Sequence, residues 1–307
     1  MIAVMGWAER LSRGERRGSA RPLTSSECRA IAETIRESLV TLRIPLAGDL
    51  ERFVTEAEWL GTFPAGPFEP GGAAYSDRQR GLTAFLLMEQ ARRVAWMLLA
   101  ARGLKGKGVS QVLRWVTGRI DRIAVQDEQA QDYLFELEIA GRLRMKDGVD
   151  VSLEEPDIVI GPVGRPPLGS MACKRPLRRD TVGRALLKAR EQITRRGLPG
   201  IIVIGMEALF HRSGDDEEKP TVIYHADRAR DLESEGRRVI SEAVGCAAAE
   251  IGQVFRSGTV EGLLFCGLMT GLLRFPSSYH HRWVRRTMPN PAGDGAVVTA
   301  MERLLFG

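Results

Sequence analysis

The chain has 307 residues, of which 44 % are hydrophobic and 27 % charged; that balance belongs to a folded globular protein of one large or two ordinary domains and excludes wholesale disorder. A formal net charge of +5 is compatible with a polyanionic partner without establishing one. The widely spaced Cys28, Cys173, Cys246 and Cys266 form no CxxC pair, which excludes a disulfide framework or a cysteine zinc site and reads as reduced thiols of a cytoplasmic protein.

Residues 1–22 read as a flexible basic lead-in, with Arg10, Arg13, Arg16 and Arg17 and no apolar core of a signal peptide. Thr24 and Glu27 have the spacing of a capping box, and apolar positions at Ile31, Ile35, Leu39 and Leu42 predict a helix that stops before Pro45. A second helix is expected from Asp49 to Leu60, followed by a Gly- and Pro-rich loop over 61–72. Ser76 is placed to cap a long helix over 77–102. Its apolar stretch is interrupted by Glu89, Arg92 and Arg93, so it reads as a packed helix and not a membrane span. The side chains from Leu86 to Leu99 suit a core or a partner-helix interface. A further helix is expected from Val109 to Ala124. No strand-like alternation precedes residue 148, so 23–125 reads as an all-helical N-terminal domain.

The remainder, 126–307, has a different character. A helix is expected from Asp127 to Lys146, stopped by Gly148. Short β-type runs follow at Val149–Leu153, Asp157–Ile160 and Leu168–Cys173. A basic helix from Arg179 to Arg196 ends at Gly197, and Ile201–Ile204 has the signature of a buried strand. The acidic stretch Asp215–Glu218 reads as a solvated loop. One long helix is expected from Asp227 to Phe255 and a last strand from Gly262 to Leu268. This order predicts an α/β domain with a mixed central sheet flanked by helices.

Two short segments carry the chemistry. Asp157, after Pro156, opens a β-branched run, which sets a carboxylate at the mouth of a strand. The next strand ends in Ala172-Cys173-Lys174-Arg175-Pro176. Residues two apart on a strand share a face, so position 172 and Lys174 point the same way. In a hairpin, Asp157, position 172 and Lys174 converge. Carboxylates at such a point hold a divalent metal that polarises a phosphoryl oxygen and lowers the pKa of a bound water. A neighbouring lysine offsets developing negative charge.

Glu136, Pro156-Asp157 and Cys173-Lys174-Arg175-Pro176, in this element order, resemble the PD-(D/E)XK nuclease superfamily over roughly residues 127 to 270. The resemblance implies a restriction-endonuclease-like core in which Asp157 and an acid two before Lys174 bind Mg²⁺ or Mn²⁺, the Cys173 carbonyl is a further ligand, and Lys174 is catalytic. The chain departs from the pattern at the second acid, where it has Ala172. A deliberate inactivating substitution and a degenerate copy leave the same trace. Of the two helix glutamates, Glu136 falls between Ala140 and Leu143 on the apolar face, whereas Glu138 falls near Arg142 and reads as a solvated ion pair. A carboxylate facing a core needs a partner or a metal, which favours Glu136. Arg175, Arg178, Arg179, Arg184 and Lys188 make a cationic face suited to phosphate-backbone contact. Gln192 stands where related nucleases often carry a site glutamine. Cys173 reads as core filling, and His211, His280 and His281 lack metal-ligand spacing.

The expected function is thus metal-dependent hydrolysis of DNA, with RNA as an alternative substrate, in bacterial defence or restriction, disabled at Ala172. The alternative is a non-catalytic nucleic-acid-binding or scaffold subunit on the same fold. A homodimer and a regulatory or sensor protein are the expected partners, with no membrane association.

Overall fold

The computed structural model describes residues 21–306 except 23, 65–87, 89–90, 93, 100, 103, 105–127, 145, 147, 154–157, 211–223, 275–276 and 294. Pro156-Asp157, His211, the acidic loop, the Ser76 cap and the helix expected over 109–124 lie outside the described residues.

The described chain opens with a two-residue strand, β1 (Arg21–Pro22), where a lead-in without structure was expected. It pairs antiparallel with a strand from the far end of the chain, Arg21 opposite His281. Helix α1 (Ser25–Leu42) follows, and the Thr24 hydroxyl accepts the Glu27 N–H at 3.2 Å. The Glu27 carboxylate pairs with the buried Arg92 at 3.0 Å. Helix α2 (Asp49–Gly61) packs on α1. The helical residues 94–98 are buried throughout.

Helix α3 (Glu128–Arg144) leads into an antiparallel meander of β2 (Val149–Leu153), β3 (Ile158–Pro162) and β4 (Gly169–Lys174). Helix α4 (Val182–Arg196) crosses over to β5 (Gly200–Gly205), which runs parallel to β4 with Ala172 opposite Ile202. Gly197, at φ +69°, ends α4 in the left-handed conformation that glycine adopts without a Cβ clash. A short helix α5 (Glu207–Phe210), a short strand β6 (Tyr224–Ala226) and helices α6 (Ala229–Cys246) and α7 (Ala248–Phe255) come next. The helix expected from Asp227 to Phe255 is therefore two. The break at Ala247 turns α7 onto α4, against which it packs. The chain then forms a long hairpin, β7 (Val260–Arg274) and β8 (Ser277–Pro289), and ends in helix α8 (Ala296–Phe306).

The protein is α/β. One mixed sheet runs β1-β8-β7-β5-β4-β3-β2, with β6 paired to β7 off this path. Strand periodicity divides its side chains between two buried clusters. Met171, Cys173, Ile201, Val203, Leu264 and Cys266 face one layer, with α3, α8 and the N-terminal helices. Ala172, Ile202, Ile204, Leu263 and Phe265 face the other, with α4, α6 and α7. The buried residues of α1 and α2 share the first cluster with the sheet.

Candidate functional site

Crossover connections of the β4-α4-β5 kind leave a crevice beyond the carboxyl ends of the parallel strands, where ligands bind in open α/β sheets. Here the crevice is a shallow cleft between the start of α3 and the first turns of α4. Asp132, Lys174, Arg175, Pro176, Thr181, Arg184, Ala185 and Lys188 line it.

Lys174 is the last residue of β4, and its side chain is 11 % exposed. Its Nζ donates to the Cys173 carbonyl at 2.9 Å and stands 3.9 Å from Asp132 Oδ2. Asp132 Oδ1 accepts the backbone N–H of Arg175 at 2.5 Å. One carboxylate from α3 thus touches both residues at the end of β4.

Asp132 did not figure among the sequence candidates. The signal was present: it precedes Glu136 by four residues and so shares its helix face. Glu136 is itself buried, at 7 % exposure, one turn deeper along α3. The favoured glutamate lies inside the protein, and the aspartate a turn before it lines the cleft.

Glu138 corrects an expectation. It pairs with Arg142 at 3.0 Å, as the i,i+4 spacing predicts, but the pair is buried and not solvated. The reason is that α3 is covered on more than its sheet side. It packs on β2 and β4, touches α8, and has Trp96 against it, so residues 135–143 are all buried. A helical wheel assumes one dry face, and this helix has no wet one over that span.

Arg175 was expected among the phosphate-contacting cations. Its side chain turns inward instead, with Nε 3.6 Å from Glu207 Oε2 and the two side chains 6 % and 1 % exposed. Glu207 Oε1 also accepts the Leu268 N–H at 3.3 Å. Gly205 makes room for this carboxylate, since a Cβ there would lie 3.2 Å from both Glu207 Oε2 and the Phe135 ring. Arg178 is held by Asp180 through two 3.1 Å hydrogen bonds, and Arg179 by Glu242 at 2.7 Å. Arg184 and Lys188 stand one turn apart on α4, exposed, at the cleft. Gln192 lies a further turn along α4 and does not line it.

Ala172 is fully buried, in the apolar cluster with Val182, Leu186, Ile202 and Ile204. Ile158, the residue after Asp157 in sequence, pairs with Met171, the residue before Ala172. Cys173 fills the core on the opposite face. The Cys266 thiol is held well above its ordinary value of 9.0 by burial and then by the nearby Glu207 carboxylate, so it is an inert protonated group.

Among the described residues, no group of three or more His, Cys, Asp or Glu side chains could hold a metal ion. Among the described residues, the donors around Lys174 do not form the paired-acid set that the resemblance requires for Mg²⁺. The position where the resemblance requires an acid presents a buried methyl group. Among the described residues, the one carboxylate lining the cleft is tied to a backbone N–H and faces an ammonium. Among the described residues no helix is long and apolar enough to cross a membrane. No family model matches the chain, and neither a curated protein nor a solved structure matches it significantly.

Proposed function

We propose that this chain binds the phosphate backbone of nucleic acid in the cleft at the end of β4, on a PD-(D/E)XK-type scaffold whose hydrolytic chemistry is blocked at position 172. The observation that carries the reading is Lys174 closing β4 in a cleft it shares with Arg184 and Lys188. The order of α3, three antiparallel strands, α4 and a parallel strand supports the scaffold. Lysine and arginine side chains contact phosphate without reading sequence, and such binding weakens steeply with salt. Fluorescence anisotropy of labelled single- and double-stranded DNA and RNA, titrated at several NaCl concentrations, tests this. Binding that fails at low salt for every strand type sinks the reading.

A second reading is a nuclease whose activity is restorable. The pairing of Ile158 with Met171 favours it, because this register stops one residue short of both Asp157 and Ala172. Ala172→Glu returns the missing acid. Cleavage of DNA by that variant in Mg²⁺ or Mn²⁺, lost again in Ala172→Glu/Lys174→Ala, supports a disabled enzyme. An inert variant leaves the binding role.

A further inference from the structure

We propose that Asp132 is a resident counter-anion of the cleft: its carboxylate stands beside Lys174 where a ligand phosphate would bind, and so sets how strongly the cleft takes a phosphodiester. This inference rests on the phosphate-binding reading above. It adds a built-in competitor to that site.

Three observations carry it. Asp132 is the one carboxylate among the described residues that line the cleft, against Lys174, Arg175, Arg184 and Lys188. Arg175 is already matched, since its guanidinium faces Glu207 within the protein. The described cations that line the cleft with Asp132 and keep their side chains toward it are Lys174, Arg184 and Lys188. The two oxygens of Asp132 also have different tasks. Oδ1 is fixed at 2.5 Å by the Arg175 N–H, which anchors the group at the end of β4. Oδ2 lies 3.9 Å from the Lys174 ammonium, beyond hydrogen-bond length and within ion-pair range. The carboxylate is anchored through one oxygen and attracts the lysine through the other without a short hydrogen bond to it. An incoming phosphate oxygen that takes Lys174 must do so beside this fixed negative charge. The repulsion lowers affinity, and so favours ligands that engage Arg184 and Lys188 at the same time.

Asp132→Asn tests the idea, because the amide keeps an oxygen to accept the Arg175 N–H and loses the charge. The control is Glu191→Gln, an equal change of charge on the exposed part of α4, where Glu191 pairs with Arg195 at 3.9 Å. With a labelled duplex oligonucleotide at low NaCl, Asp132→Asn should bind roughly threefold to fivefold tighter than wild type, the scale of one partly exposed charge contact. Glu191→Gln should change affinity less than about twofold, its charge being solvated and screened. The gain should vanish when Lys174→Ala is combined with Asp132→Asn. Asp132→Ser serves as a second variant if the asparagine fails to fold. Wild type that binds while neither variant binds tighter than the Glu191 control overturns the counter-anion role and leaves the phosphate reading standing. A gain that persists without Lys174 also overturns it. Absence of binding by wild type and both variants removes the reading and the inference together.

Discussion

Ala172 and Lys174 are two residues apart on β4, yet the methyl of Ala172 is fully buried in an apolar cluster whereas Lys174 lines an open cleft. The strand passes from core to site within one period. A carboxylate placed at 172 would enter the core side of that transition. Ala172→Glu should therefore destabilise the protein by roughly 2–4 kcal/mol, from overpacking and from burying a charge. If a metal site is recoverable there, Mn²⁺ should raise the melting temperature of Ala172→Glu and not that of Ala172→Gln or wild type, because ligand binding to the folded state alone stabilises it. Calorimetry with and without Mn²⁺ decides the matter. Equal melting temperatures for Ala172→Glu in the two conditions argue against a latent site.

Much of this arrangement was legible in the sequence because it is governed by local periodicity. Met171-Ala172-Cys173 and Ile201-Ile202-Val203-Ile204 alternate between two layers, and Gly197 ends α4 where expected. What was not legible depends on neighbours distant in the chain. Strand β8 was missed because Arg282, Arg285 and Arg286 give its second half a solvated look. In the fold Arg282 pairs with Glu233, Arg285 with Glu302 at 2.7 Å, and Arg286 donates to the Ser241 hydroxyl at 3.2 Å. The spacing of Asp132 to Glu136 puts both on one helix face, but the contacts of Asp132 with Lys174 and Arg175 come from α3 meeting the end of β4, a relation between segments distant in the chain. The pair Glu138–Arg142 was read at the right spacing and in the wrong solvent, since the residues that cover α3 come from the N-terminal helices and from β8.

That pair yields a stability prediction. The Arg142 guanidinium lies 5.6 Å from the Trp96 ring centroid and 4.3 Å from that of Trp283, with Glu138 at 3.0 Å. It ties the helical layer to the hairpin through one cation. Arg142→Met removes the cationic partner of a nearly fully buried carboxylate and should cost about 3–5 kcal/mol. Glu138→Leu/Arg142→Met removes both charges and should recover most of that loss. Urea denaturation followed by tryptophan emission reads both variants. A double mutant no more stable than Arg142→Met shows that the cation–π contacts, not the ion pair, carry the energy.

The cysteines give a prediction in pH. Burial holds the thiols of Cys28 and Cys266 above their ordinary value of 9.0, with nearby carboxylates adding to the effect. A group whose folded pKa is raised leaves stability unchanged below its unfolded value. Above that value the unfolded chain ionises first. Stability should therefore be flat with respect to these thiols up to about pH 9 and then fall by about 1.4 kcal/mol per pH unit for each of the two. Cys28→Ala/Cys266→Ala should flatten the alkaline limb. The same burial predicts that Cys246, the exposed thiol, reacts first with a thiol reagent at pH 8. Fast modification of two or more cysteines in the native protein contradicts the described core.

The basic residues around the cleft divide into cations placed to meet a ligand and cations that hold the fold. Arg184 and Lys188 are exposed at the cleft, Arg178 and Arg179 are exposed but held by Asp180 and Glu242, and Arg175 is buried against Glu207. If phosphate binds in the cleft, Lys174→Ala, Arg184→Ala and Lys188→Ala should each weaken DNA binding and each lower the slope of log Kd against log[NaCl] by about 1, the value for one lost phosphate contact. Arg178→Ala and Arg179→Ala should move the slope much less. Arg175→Ala should act on stability, because it removes the guanidinium that faces the buried Glu207 carboxylate. Anisotropy titrations across a series of salt concentrations, with a thermal melt of each variant, measure both quantities. Equal slope changes at Arg178 and Lys188 would place the nucleic acid along the whole basic face of the protein, outside the cleft.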